Sequence, residues 1–163
     1  MSQNQAFAPV RRQVYIEGLV RVPFKTTLSV RDQCLCLHLQ RAARAVARRF
    51  DDALRPLGLT NGQFSLLMSL NRPEPPNMAS VAALLAMDRT TLTAALKPLL
   101  RRGLVRVRVD PEDGRRHVTT LTANGRKLLA RAVPVWKGAH VAVEERLKDD
   151  GAEQLRRNLR TLC

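Results

Sequence analysis

The sequence predicts a mainly helical fold carrying a small two-stranded β-wing, and three observations predict it. Apolar residues recur at steps of three and four over most of the chain, the spacing of amphipathic helices. One stretch alternates instead at a step of two, Val105-Arg106-Val107-Arg108-Val109, which is the period of a strand. A turn, Asp110-Pro111-Glu112-Asp113-Gly114, follows it at once and sends the chain back as a hairpin opening Arg115-Arg116.

Taken in order, residues 1–28 read as a basic arm, with Arg11, Arg12, Arg21 and Lys25 against Glu17 alone. Gly18 and Pro23 give the piece from Val14 to Phe24 an extended or irregular path. A first helix is expected from Ser29, with Asp32 as its capping-box partner. Leu35, Leu39, Ala42, Val46, Phe50, Ala53 and Leu57 then form one long apolar face, ended by Pro56 and Gly58. A second helix opens at Thr60, with Gln63 as box partner. Pro73, Pro75 and Pro76 make the next segment a loop. A short third helix is expected from about Ala79 to Ala86, and Asp88 caps a fourth that runs to Gly103. After the hairpin, Thr122 opens a fifth helix carrying Trp136 and kinked at Pro134. Asp150 with Glu153 opens a last one that ends near Leu162.

Composition narrows the partner. The chain has 163 residues, enough for one domain with a real core, and 45% hydrophobic residues exclude disorder throughout. Its formal net charge of +14 points to a polyanion. Only 5 of the 28 basic residues are Lys, and arginine bias of that kind also follows from GC-rich coding. No apolar run approaches a membrane span and the N-terminus has no signal-peptide core, so a cytoplasmic location is expected. Three cysteines, two of them one residue apart, do not form a disulfide framework.

The fourth helix separates two faces. Leu92, Leu96 and Leu99 form one, while Thr90, Thr93, Lys97 and Arg101 form the other. A helix of this kind enters a DNA major groove, its N-terminal residues nearest the base edges. Arg89, Thr90, Thr91 and Thr93 are therefore the candidates for bases or adjacent phosphates, and Lys97 and Arg101 for phosphates. Pro98 lies inside the helix, where a bend is expected. In the turn, Asp113 stands beside Arg115 and restricts its rotamers, aiming the guanidinium at a narrow minor groove; Arg116 is a second candidate. The plain alternatives are a solvated helix face and an ordinary turn with an exposed ion pair.

The run from Gly58-Leu59-Thr60 through Asp110-Pro111-Glu112-Asp113-Gly114-Arg115-Arg116 to Leu121-Thr122 resembles the MarR family of winged-helix repressors, over roughly residues 32–162. The resemblance implies a winged helix-turn-helix domain at 58–121, dimerisation helices at 29–57 and 122–163, and a homodimer on palindromic double-stranded DNA. It also implies that Arg115 enters the minor groove. The apolar surface of the terminal helices independently calls for a second copy to cover it.

What would release such a repressor stays open. The spacing Cys36…Arg44…Gly58-Leu59-Thr60 resembles the peroxide-sensing, OhrR-type branch, where a cysteine at this position is oxidised. That branch uses tyrosines to hydrogen-bond the thiolate; Phe50 and Asn61 stand at those positions here, and the chain's one tyrosine is Tyr15. Cys36 is expected to be semi-buried, with Cys163, or Cys34 of another chain, as a partner thiol, since Cys34 and Cys36 of one helix point apart; a thiol here lies near the positive end of the helix dipole. The bland reading makes Cys34 and Cys36 small apolar residues. A small aromatic acid is the second option, with His38, Arg44, Arg48 and Phe64 as pocket candidates. Metal sensing by Cys34 and His38 is a third, short of the usual four ligands. No nucleophile elbow, Gly-rich phosphate loop or paired apolar carboxylates argue for catalysis, and no cofactor is called for.

Overall fold

The computed structural model describes residues 21–110, 117–147 and 150–162. Asp113, Arg115, Arg116 and Cys163 therefore lie outside the described residues. The chain divides into two compact units, Met1–Leu39 and Gln40–Cys163, and the division falls within a helix.

In the first unit, α1 spans Phe24–Gln33 and α2 begins at Leu35. The single helix expected from Ser29 is thus two helices, and the arm is already helical at Phe24. Two local causes account for the difference. Pro23 sits at the N-cap of α1, where its missing N–H costs nothing. Asp32 pairs with Arg31 at 2.6 Å and caps no helix. At Cys34 the backbone is extended (φ −71°, ψ 105°), and the chain restarts there. The Cys34 carbonyl accepts the His38 N–H at 3.1 Å, and its Sγ accepts the Leu37 N–H at 3.5 Å. Cys34 therefore does for α2 what a serine does at an N-cap.

The second unit continues α2 to Leu54 and adds one 3-10 turn at Arg55–Leu57, closed by Gly58 in the left-handed region (φ 65°). Next come α3 (Asn61–Ser69), α4 (Met78–Leu84), α5 (Arg89–Arg101), β1 (Val105–Val109), β2 (His117–Leu121), α6 (Ala123–Glu144) and α7 (Gly151–Arg160). The Thr60–Gln63 capping box is present in both directions, at 3.2 Å each way. Asn77 caps α4 at the Ala79 N–H, one residue ahead of the expected start. The expected box at Asp150 and Glu153 does not form: Asp150 makes no side-chain cap, and Glu153 is engaged by Arg156 and Arg160. α5 and α6 run unbroken through Pro98 and Pro134.

Leu54, Phe64, Leu67, Val81, Leu92, Leu99, Leu104, Val105, Leu121, Leu129 and Ala132 form one core. It joins α3, α4, α5 and the ribbon to the end of α2 and the first half of α6. Beside it Trp136 stacks between Phe64 (centroids 5.9 Å apart) and His140 (4.7 Å). The ribbon is antiparallel, with Val105 opposite Leu121 and Val109 opposite His117. At its root the Thr122 hydroxyl donates to the Gly103 carbonyl (2.7 Å) and accepts the Gly125 N–H (3.0 Å). One side chain thus fastens the end of α5, the start of the ribbon and the start of α6. Gly125 lies against the Leu104 carbonyl so closely that a Cβ there would stand 2.0 Å from the oxygen.

Candidate nucleic-acid interface

The reading face is built from the cap of α5 outward. Asp88 accepts the Thr91 N–H at 2.8 Å and the Thr91 hydroxyl at 2.7 Å. These two bonds hold its carboxyl below the ordinary aspartate value. The cap fixes where α5 starts and therefore which residues lead it. Leu92, Leu96 and Leu99 are buried at 3%, 8% and 0% exposure, which sets the rotation of the helix. Arg89, Thr90, Thr93, Lys97 and Arg101 are consequently all exposed.

Two of the threonines carry internal bonds. The Thr91 hydroxyl is committed to the cap, and the Thr93 hydroxyl donates to the Arg89 carbonyl at 2.8 Å. Thr90 leads the exposed face together with Lys97 and Arg101. The turn before α5 contains Ala86 at φ 50°, a left-handed residue with a Cβ, which swings the chain from α4 into α5. Arg102, just past α5, donates to the Gly58 carbonyl at 2.6 Å and ties the helix end to the turn after α2.

Between α4, α5 and the ribbon lies a cavity of about 910 Å³. Met78, Met87, Leu92 and Leu96 supply an apolar wall, and Arg89 and His117 supply polar groups. The sequence reading did not connect His117 or Val107 with Arg89. The ribbon register does, because Val107, His117 and Thr119 share one face of it.

The residues suggested for a signal fall in different settings. Cys34 is half-buried, while Cys36 is exposed rather than semi-buried. The reason is that α2 buries only Phe50 and Leu54, both near its C-terminal end. The His38 ring nitrogen lies 3.2 Å from the Asp32 carbonyl. Among the described residues no three His, Cys, Asp or Glu side chains gather as a metal site. In the second unit Arg44 and Arg48 are exposed, and Phe64 is a core residue at 4% exposure. None of His38, Arg44, Arg48 and Phe64 lines the cavity beside α5. Among the described residues no helix is long and apolar enough to cross a membrane.

Comparison with known proteins places this architecture. Residues 59–117 match the model of the MarR family. The transcriptional regulator HosA of Escherichia coli O111:H- is 38% identical over 79 residues, 47% of this chain and 57% of HosA, so the chain spans little more than half of that relative. An HTH-type transcriptional repressor of Mycobacterium bovis is 30% identical over 124 residues, 76% of this chain and 89% of the relative. The organic hydroperoxide resistance transcriptional regulator of Bacillus subtilis is 28% identical over 128 residues, 78% and 86% of the two chains. Among solved structures, the M. tuberculosis regulator MosR in complex with DNA superposes with a TM-score of 0.71 at 40% identity, covering 80% of this chain and 93% of MosR. The repressor CouR bound to a 23-mer DNA duplex gives 0.73 at 32%, covering 83% and 96%. CouR from Rhodococcus jostii RHA1 bound to p-coumaroyl-CoA gives 0.70 at 28%, covering 80% and 92%. Capped reading helix, two-stranded ribbon and sequence likeness agree: the chain belongs to the MarR family of winged-helix transcriptional regulators.

Proposed function

We propose that this chain is a repressor that binds a palindromic operator as a homodimer and releases it on a signal. The observation that carries the reading is α5: three leucines buried, five basic or threonine side chains turned outward, and a carboxylate cap fixing its first turn. In this reading Arg89, Thr90 and Thr93 meet bases or nearby phosphates, Lys97 and Arg101 meet phosphates, and Arg115 with Arg116 reaches the adjacent minor groove from the turn, oriented by Asp113. Thr91 serves the cap. Residues 58–121 form the reading domain, 1–23 a basic arm, and 24–57 with 122–163 the dimerisation helices. Exposed apolar residues support the last assignment: Leu35 at 71% in the first unit, and Val141 at 52% and Leu162 at 62% in the second. The protein works in the cytoplasm, as a binder with no catalytic step.

A duplex-selection experiment followed by gel-shift titration tests this. Arg89→Ala and Arg115→Ala should each weaken the selected operator by about 1–3 kcal/mol, and Arg89→Ala should relax base preference under it. Unchanged affinity in both variants, or a stable monomer at micromolar concentration, rules the reading out.

For the signal, cysteine oxidation is supported by the exposure of Cys36 and by the hydroperoxide-resistance relative. A thiolate attacking the O–O bond of a hydroperoxide yields sulfenic acid and releases the alcohol. Hydroperoxide should then release wild-type protein from DNA and leave Cys36→Ser bound, with Cys34→Ser as the comparison. The second reading is an aromatic carboxylate, supported by the cavity of Met78, Met87, Leu92 and Leu96 with Arg89 at its rim. Release by a hydroxycinnamate at unchanged thiol content selects this reading.

A further inference from the structure

The opposite face of the ribbon carries a second, smaller cavity that DNA reading by α5 does not use. Its volume is about 180 Å³, and Arg72, Arg106, Arg108 and Arg126 line it together with Thr120 and Leu70. Arg106 and Arg108 share a strand face, and Thr120 stands directly across from Arg106. That face is turned away from the one that meets α5, because Val107, His117 and Thr119 occupy the other.

Arg72, Arg106, Arg108 and Arg126 are all exposed, and two features distinguish them from an ordinary solvated face. Four arginines line one cavity with no carboxylate among the lining residues; Glu74, in the same loop as Arg72, is not one of them. Thr120 Oγ1 is buried and, among the described residues, has no hydrogen-bond partner. A buried hydroxyl without a partner is uncommon and calls for an explanation. An anion seated among the arginines would accept that hydroxyl and relieve the mutual repulsion of the cations. Arg126 is already steadied by a 3.0 Å bond from its Nη1 to the Leu121 carbonyl. Planar guanidinium forks suit a tetrahedral oxyanion.

We propose that the cavity between the 71–75 loop and the outer face of the ribbon binds a phosphate group, held by Arg106, Arg108, Arg72 and Arg126 and accepting the Thr120 hydroxyl. The phosphate comes either from a small free phosphate compound or from a nucleic-acid backbone, and the two sources separate by experiment. The full chain is titrated with pyrophosphate by calorimetry, and in parallel with a random-sequence duplex by fluorescence anisotropy, both at fixed ionic strength set with chloride. Arg106→Gln is expected to weaken the responding titration about tenfold, with Arg108→Gln as an independent repeat. Thr120→Val is expected to weaken it several-fold while melting no lower than wild type, which separates loss of the site from loss of the fold. A response to pyrophosphate assigns a free phosphate compound; a response to the duplex alone assigns the backbone. If neither titration changes in any of the three variants, the proposal is overturned. Pyrophosphate binding that depends on Arg106 in a protein indifferent to every duplex would uphold this site and defeat the repressor reading.

Discussion

Replacing Gly125 with alanine pits two effects of known sign against each other. Gly125 lies in the first turn of α6, where alanine alone would favour the helix by about 1 kcal/mol. The added Cβ, however, would stand 2.0 Å from the Leu104 carbonyl oxygen and 3.0 Å from its carbon. Carbon and oxygen sit comfortably at about 3.3 Å, so the strand root and the helix must part by more than 1 Å. Both neighbours are backbone and neither has a rotamer to change. The cost therefore belongs near the upper end of the overpacking range, about 3 kcal/mol. The net expectation is a loss of about 2 kcal/mol, or a melting temperature lower by roughly 4–8 °C for a chain of this size. Gly62→Ala in α3 is the control, since a Cβ there meets nothing within 4 Å. It should melt up to about 2–4 °C higher. Calorimetry at matched chain concentration decides it, because self-association would otherwise shift both values. A Gly125→Ala protein that melts with or above wild type refutes the close approach of α6 to the ribbon root.

Three further outcomes follow from local geometry. Ala86→Gly should raise stability by up to about 1 kcal/mol in a denaturant titration, since the left-handed conformation strains alanine by more than glycine's extra chain entropy costs. The Asp88 carboxyl is held below its ordinary value by Thr91, so its stabilisation is present above about pH 4 and fades as pH falls through the lowered value. The stability difference between wild type and Asp88→Asn should accordingly stay level from pH 7 to 5 and shrink below about 4; a difference independent of pH would remove the carboxylate cap. Leu99→Ala, at a site with 0% exposure, should cost about 2–5 kcal/mol and lower operator affinity only through the loss of folded protein.

What the sequence disclosed is what neighbours in the chain decide. The Thr60–Gln63 box, the Asp88 cap and the Thr122 cap each join groups three residues apart, so residue type and spacing suffice. The leucine face of α5 is legible for the same reason. The break at Cys34 was not, because no glycine or proline marks it; a sulfur acting as a cap and Asp32 held by Arg31 produce it. The exposure of Cys36 escaped too, since a helical wheel says which side a residue faces but not whether anything covers that side. The convergence of Arg72 and Arg126 on the ribbon joins positions far apart in the chain, which no periodicity encodes. The placement of His117 on the same ribbon face as Val107 needed only the hairpin register, which composition of the turn did not fix.

The alternation of valine and arginine along β1 makes the hairpin sensitive to odd and even. Val107 meets the cavity beside α5 and Arg106 the cluster behind it, so a slip of one residue would exchange the oily and the cationic sides along that strand. Lengthening the connection beyond Val109 leaves both sides as they are, provided the pairing of Val105 with Leu121 is kept. Variation in wing reach is therefore cheap in this fold, whereas a single insertion within the paired residues would turn the ribbon inside out.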